Sequence, residues 1–382
     1  MDVSELNSHS FVKPTSVALV SVFPLYTGTS TVVLDYFRAL TDLGHKVTIY
    51  QLTIPGISLE YPEPSRKITG HRFPLKSLNL PVNLMFTLPK IVPDLKEDVI
   101  ILTDPAVSKL KVRFPESIVI FYDLREFSEF SRNPARKAFY SYLSKFIRDG
   151  DKIIAVSAFT KEMLMLHFKR NLNIQVVEGC SSLVTDENIV RGKIMRYKKK
   201  KNEVNVLYIA ADRPYKNIKL FIKVAKIIDL MHLDVKFNFI LLSKLSNSSK
   251  KLLKREAPSN LEVIDHTDDL FSLYQRADVL LYPSFIEGFG LPLAEAMSFG
   301  IPIIYSDKRP MTDIVGAYGI AVDPEIPDLW AKELIRLSGR DNYEKMALLS
   351  FERSKTYSYD RFKVELSRAL ENFREGGIRF NQ

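Results

Sequence analysis

Hydrophobic and polar residues alternate along this chain in two nearly equivalent series. "SVALVSVF" (16–23) is a short, valine-rich apolar run that predicts a buried strand. It leads through "PLYTGTS", a loop with Pro24 and Gly28, into "STVVLDYFRALTDLG" (30–44), whose apolar residues recur at helical spacing and stop at Gly44. "HKVTIYQL" follows as the next strand, completing a strand–helix–strand unit. Further strands are expected at "EDVIILTD" (97–104), "SIVIFYDL" (117–124), "DKIIAVSA" (151–158) and "NIQVVEG" (173–179). Between them, "NPARKAFYSYLSKFIR" and "AFTKEMLMLHFKR" have the pattern of amphipathic helices. After a lysine-rich stretch the pattern restarts. Strands are expected at "EVNVLYIAA" (203–211), "KFNFILLS", "LEVID", "ADVLLYPS" and "IPIIYSD", with "IKLFIKVAKIIDLM" as a helix. "YDRFKVELSRALENFRE" closes the chain as one more amphipathic helix. This alternation predicts an α/β protein with two doubly wound parallel sheets, each with helices on both faces.

The expected boundaries follow from that restart. Residues 1–183 form a first Rossmann-like domain, 184–202 a linker, and 203–356 a second domain. The last helix, about 357–382, is expected to pack back on the first domain. Ligands of open α/β sheets sit at the carboxyl ends of strands, near glycine loops and helix N-termini. Two such domains would face each other across a cleft, which makes the loops at 24–30, 211–217 and 284–292 the candidate binding elements.

Composition narrows the function. The 382 residues are 46% hydrophobic and 26% charged, an ordinary globular balance for two domains. No apolar run is long enough to span a bilayer, and the polar start "MDVSELNSHSFVKPTS" lacks a secretory apolar stretch. A single cysteine, Cys180, excludes an intramolecular disulfide and fits a reducing compartment, so a cytoplasmic location is expected. The net charge of +9 favours anionic partners. "RGKIMRYKKKKN" (191–202) concentrates it and reads as a linker or exposed loop. No aromatic stacking surface or reader motif accompanies those lysines, which argues against nucleic acid. They suit an anionic membrane surface better, and "RKAFYSYLSKFIR" (136–148) reads either as a core-packed helix or as a further basic face. The histidines show no metal-ligand spacing, so no metal and no cofactor are expected.

The chemistry concentrates in "SFIEGFGLPLAEAMSFG" (284–300). Glu287 and Glu295 flank a bend made by Gly288 and Gly290, and Pro292 suits the first turn of the helix that Gly300 ends. Loop amides and a helix N-terminus make a seat for a phosphate. A carboxylate beside that seat accepts two hydrogen bonds from a diol, which a ribose presents. Together they suggest a nucleotide. "AADRPYKN" supplies cations at the end of another strand: Arg213 and Lys216 are placed to meet a diphosphate, Pro214 and Asn217 shape the turn, and Asp212 is expected among the residues that bind the nucleotide.

The stretch "DDLFSLYQRADVLLYPSFIEGFGLPLAEAMSFGIPIIYSD" resembles the donor-binding signature of glycosyltransferase family 4, retaining enzymes of the two-Rossmann-domain GT-B fold. "GHKVTIY", "IIAVSAFTKEML", "VVEGC" and "YSYDRF" resemble other family segments, so the likeness covers nearly the whole chain. The resemblance implies a nucleotide-diphosphate sugar of UDP or GDP type as donor, and as acceptor a hydroxyl of a glycan, a lipid-linked sugar or another glycoconjugate. By position, Glu295 would bind the ribose hydroxyls. Glu287 and the amides of Phe289 and Gly290 would hold the transferred sugar, with Gly288 and Leu291 completing that loop. Lys216 would meet the diphosphate. Gly28, with Thr29 beside it, would let the donor approach the first domain. Acceptor contacts would lie around 52–95.

Two departures alter the expected site. The family's arginine upstream of the lysine is replaced by Ala210 and Ala211, and Arg213 stands closer to the lysine. Where many members carry His-Asp after the fourth strand, this chain has Tyr122 and Asp123, and a phenol donates a hydrogen bond without carrying positive charge. Two other functions remain open at this point. One is another GT-B activity such as an epimerase or phosphorylase; the other is a catalytically degenerate protein that binds sugar nucleotides.

Overall fold

A computed structural model describes residues 15–22, 28–53, 61, 63–70, 82–124, 134–183, 185–199, 202–256 and 258–375. The chain divides into two units. The first holds the described residues up to Glu178 together with those from Tyr359 onward; the second is Gly179–Ser358.

The first unit is built on a seven-stranded sheet in the order β3-β2-β1-β4-β5-β6-β7. Its strands are β1 (Ser16–Ser21), β2 (Lys46–Thr53), β3 (Ser65–Thr69), β4 (Val99–Leu102), β5 (Ile118–Phe121), β6 (Lys152–Ala155) and β7 (Asn173–Val176). Every neighbouring pair is parallel; β1 sets Val17 opposite Val47 on one side and opposite Val99 on the other. Val17 to Val20, Ile118 to Phe121 and Ile153 to Ala155 are buried, as expected of strands covered on both faces. The helix Gly28–Asp42 connects β1 to β2 and starts two residues earlier than its pattern suggests. Gly44 ends it at φ +85°. One face of the sheet carries a core of Leu84, Leu88, Val107, Leu110, Leu143 and Leu164. These come from short helical segments at 83–91 and 105–112 and from the helices Pro134–Leu143 and Ala158–Phe168.

The last helix, Tyr359–Glu375, belongs to this unit. Phe362 packs edge-on against Tyr36 with ring centroids 5.1 Å apart. The Tyr359 hydroxyl donates to Asp42 at 2.9 Å, and a Glu365 carboxylate accepts from the Glu178 amide at 3.1 Å.

The second unit has a six-stranded parallel sheet in the order β10-β9-β8-β11-β12-β13. Its strands are β8 (Glu203–Ile209), β9 (Lys236–Leu242), β10 (Leu261–Ile264), β11 (Val279–Tyr282), β12 (Ile303–Ser306) and β13 (Ile320–Val322). Both sheets therefore reverse direction once, between β1 and β4 in the first unit and between β8 and β11 in the second.

Residues 187–199 depart from the linker expected at 184–202. They form a helix, Glu187–Lys199, that packs in the second unit. Val190, Lys193, Ile194 and Tyr197 lie at helical spacing and face inward. Tyr197 stacks on Tyr343 at 3.5 Å. Lys193 is buried, and its ammonium donates to the Tyr274 carbonyl at 2.6 Å. Lys198 pairs with Glu344. The charge run is thus mostly the polar side of a packed helix. No helix among the described residues is long and apolar enough to cross a membrane.

Candidate active site of the second unit

The strand order of the sheet reverses between β8 and β11, and doubly wound sheets take their ligands at the strand ends beside such a reversal. The two loops that leave those strands meet there. After β8, Pro214–Lys216 form one 3-10 turn, and Asn217 takes the left-handed conformation at φ +55° that starts the helix Ile218–Leu230. After β11, Pro283 to Gly290 run to the helix Leu291–Ser298. The Phe285 amide donates to the Tyr215 carbonyl at 2.8 Å, which fixes one loop to the other. Beneath them the Tyr208 hydroxyl donates to the Lys216 carbonyl and lies 3.3 Å from the Ser284 hydroxyl.

This arrangement brings Lys216 and Glu287 together. The ammonium donates to Glu287 Oε1 at 2.6 Å, and the side chains are 15% and 7% exposed. The Tyr282 hydroxyl donates to the same oxygen at 3.0 Å. Lys216 also lies 5.7 Å from the centroid of the Tyr282 ring and 5.9 Å from that of Tyr215. Burial, and then the Glu287 carboxylate, hold the Tyr282 phenol well above its ordinary pKa, so it stays a donor.

Gly288 begins the bend and Gly290 completes it at φ +105°, ψ +63°, where an L side chain is strained. A Cβ there would lie 3.1 Å from Leu293 Cδ1 and 3.5 Å from the Tyr282 hydroxyl. Leu291 opens the helix, and the Leu293 amide donates to the Gly290 carbonyl at 2.9 Å. The first amides of such a helix have no acceptor within it. The Phe289 side chain is buried edge-on against Tyr357 at 5.3 Å and over Gly179, where a Cβ would come within 2.6 Å of its ring. Its ring anchors the loop, leaving the backbone for any ligand contact.

Glu295, the fifth residue of the helix, is buried, and its Oε2 accepts from the Tyr274 hydroxyl at 2.6 Å. Burial raises the Glu295 pKa above the ordinary carboxylate range, and the Tyr274 bond opposes that rise. Burial and the Glu295 charge in turn hold Tyr274 well above the phenol range.

The other expected residues are placed differently. Asp212 accepts from the Ser246 amide at 2.6 Å and the Ser249 hydroxyl at 3.0 Å, so its carboxylate ties down the start of the helix Asn247–Glu256. Arg213 is exposed at the head of the 3-10 turn. Gly28 and Thr29 begin the helix after β1 in the first unit, and the loop at 23–27 lies outside the described residues. Much of the expected acceptor region, at 54–60, 62 and 71–81, also lies outside them. Tyr122 and Asp123 follow β5 at the carboxyl edge of that unit's sheet. The Tyr122 carbonyl accepts from Thr160 Oγ1 at 3.3 Å. Burial, followed by Tyr36, Asp104, Tyr61 and Asp35, holds the Tyr122 phenol well above its usual value, which keeps it neutral.

The sequence reading missed the two tyrosines. Tyr282 ends a buried strand and Tyr274 sits in the helix Leu270–Arg276, so both look like ordinary core residues. The one available signal is chemical: a fully buried phenol usually finds an acceptor for its proton. Among the described residues no group of three or more His, Cys, Asp or Glu is arranged to hold a metal ion.

Comparison with known proteins places the chain in a family. The sequence model of a family described as "Glycosyltransferase Family 4" matches residues 26–179, and that of "Glycosyl transferases group 1" matches residues 191–347. The chain belongs to the family 4, group 1 type glycosyltransferases. It is 38% identical over 80 residues to O-antigen chain mannosyltransferase B of Escherichia coli, covering 21% of each chain. It is 24% identical over 221 residues to the O-antigen chain mannosyltransferase RfbU of Salmonella typhimurium, covering 56% of this chain and 58% of that one. The matched segments thus span less than two thirds of either relative. The fold is shared with sucrose-phosphate synthase from Thermosynechococcus elongatus, at a TM-score of 0.74 and 16% identity over 94% of this chain and 99% of that one. The two parallel-sheet, Rossmann-like units are those of GT-B glycosyltransferases.

Proposed function

We propose that this protein moves a sugar from a nucleotide-diphosphate sugar, of UDP or GDP type, to a hydroxyl acceptor with retention of anomeric configuration. The observation that carries this reading is the Lys216–Glu287 ion pair at the sheet reversal, beside the helix that starts at Leu291. Such a pair supplies a cation for a diphosphate and a carboxylate for sugar hydroxyls in one place. When the donor enters, Lys216 turns from Glu287 to the phosphate oxygens, and Tyr282 keeps the carboxylate in position.

In the reaction the bond between the anomeric carbon and the phosphate oxygen breaks, and a bond from that carbon to the acceptor oxygen forms on the same face. The acceptor's proton passes to the leaving phosphate. Cleavage of the bond to the phosphate oxygen runs ahead of that proton transfer, so negative charge grows on the diphosphate in the transition state. Lys216, Arg213 and the amides at the start of the helix Leu291–Ser298 stabilise it more in the transition state than in the ground state, at on the order of 3 kcal/mol for one such donor. Glu287 positions the sugar and is not a nucleophile. Glu295 accepts the ribose hydroxyls.

The test is a screen of UDP- and GDP-sugars by thermal shift, followed by assay of each binder with a panel of sugar and lipid-linked acceptors. The reading expects a product with a new glycosidic bond and nucleoside diphosphate released in an acceptor-dependent way. Epimerised donor, a sugar phosphate made from inorganic phosphate, or binding without turnover would each point to the other functions instead. Lys216→Ala and Glu295→Ala should lower turnover at subsaturating donor by about a hundredfold while the fold persists.

We further propose that the first unit rests on an anionic membrane surface, in keeping with a lipid-linked acceptor. Residues 134–148 hold Arg136, Lys137, Lys145 and Arg148 and no acid. Phe86 is 53% exposed, and the Lys109 ammonium lies 5.0 Å from its ring centroid. Vesicles containing anionic lipid should sediment the protein at low salt and release it as salt rises, whereas neutral vesicles should not bind it.

A further inference from the structure

We infer that Tyr274 is a positioning residue for the donor, its hydroxyl pinning one carboxylate oxygen of Glu295 so that the side chain accepts the ribose diol in a fixed orientation. The inference rests on the reading of Glu295 given above and names the device that makes that residue competent. Tyr274 has no exposed surface, and its hydroxyl meets Glu295 Oε2 at 2.6 Å. The phenol is itself immobilised from two sides. Its ring stacks on Phe299 at 5.5 Å and 22°. Its carbonyl, near the end of the helix Leu270–Arg276, accepts from the buried Lys193 ammonium at 2.6 Å.

A carboxylate offers two oxygens, and a hydrogen bond to one of them restricts rotation of the whole group. A diol needs acceptors in a defined plane, so a rotating carboxylate binds it less well. The same hydroxyl favours the ionised form of a carboxylate that burial would otherwise neutralise, and an ionised carboxylate is acceptor-only. Among the described residues, the titratable groups facing this pair are Tyr274 itself, Tyr282, whose phenol interacts with that of Tyr274, and Lys193, whose ammonium reaches the Tyr274 backbone.

The experiment is calorimetric titration of the full chain with UDP, GDP and inorganic pyrophosphate from pH 5 to 8, using wild type, Tyr274→Phe and Glu295→Gln. Tyr274→Phe removes one oxygen and keeps the ring stack, and a melting curve verifies that it folds. The expected result is a roughly tenfold loss of affinity for the nucleoside diphosphate that binds, with pyrophosphate affinity unchanged within about twofold. The pH at which nucleotide affinity falls on acidification should rise in Tyr274→Phe and vanish as a transition in Glu295→Gln. If Glu295→Gln weakens the nucleotide but Tyr274→Phe matches wild type at every pH, the positioning role is wrong and the reading of Glu295 stands. If Tyr274→Phe weakens pyrophosphate equally, the hydroxyl is structural and the inference is overturned. If Glu295→Gln binds the nucleotide as well as wild type, the ribose assignment falls and the inference falls with it.

Discussion

Glu295 is a carboxylate held where its charge is disfavoured, and this has a consequence for stability. Its pKa in the folded protein is raised, chiefly by burial. Between the ordinary carboxylate value and the raised one, the folded state binds more protons than the unfolded state, so stability falls as pH rises through that window. Above the window the penalty is complete. Glu295→Gln removes it, and the amide oxygen still accepts from Tyr274. The variant should be as stable as wild type or more so at pH 7 in urea denaturation, with the gain disappearing below the carboxylate range, while nucleotide binding is weakened. Lys216→Ala should behave in the opposite way. Glu287 then keeps Tyr282 as a donor but loses its countercharge in a nearly closed site, at a cost of roughly 2–3 kcal/mol by the same measurement. At this scale the glutamates and the lysine were legible because glycines, proline and charges punctuate the sequence around them. Their tyrosine partners were not, because nothing in the spacing tells that Tyr274 will meet an acid on another helix. The partners of Asp212 were hidden for a related reason: Ser246 and Ser249 lie far along the chain.

Elements were read well where apolar period dominates and poorly where charge does. β1, β8, β9 and β11 fall close to where their valine, leucine and isoleucine runs put them. β3 was missed because "SRKIT" is an edge strand with little buried surface, and β13 because it has three residues. The helix Glu187–Lys199 was masked by its lysines, although Val190, Ile194 and Tyr197 already spell its inner face. Its packing is enforced by Gly300 (φ +60°), where a Cβ would come within 2.5 Å of Val190 Cγ1. The start of the helix Leu291–Ser298 is equally constrained. Gly290→Ala should cost about 1–2 kcal/mol from the left-handed backbone alone. The new methyl would also press on Leu293 Cδ1, in the first turn of that helix, and would reach the Tyr282 hydroxyl only at an ordinary contact distance. Denaturation should therefore show a modest loss of stability, and donor titration a loss of affinity that Gly300→Ala does not reproduce.

At the scale of the whole chain, sequence order and structural membership diverge at the last helix. Tyr359–Glu375 follows the second unit in sequence and belongs to the first, because its apolar stripe of Phe362, Leu366, Ala369, Leu370 and Phe373 is buried there. Amphipathicity alone announces such a helix without saying which core receives it. Each unit has its own sheet and core, and domains of that kind unfold separately unless a large apolar interface couples them. The single tryptophan, Trp330, makes this testable, since it is fully buried in the second unit with its indole N–H on the Asp323 carbonyl at 2.8 Å. Phe362→Ala removes a ring 3% exposed against Tyr36 and should cost the first unit about 3–4 kcal/mol. Far-UV circular dichroism should then show an early transition in urea while Trp330 emission keeps its wild-type midpoint. A nucleoside diphosphate at a hundred times its Kd should do the reverse. It should stabilise the Trp330 transition by about 2.7 kcal/mol and leave the early one in place. A ligand that instead moved the early transition would locate the principal nucleotide contacts in the first unit and remove Lys216, Glu287 and Glu295 from the donor site.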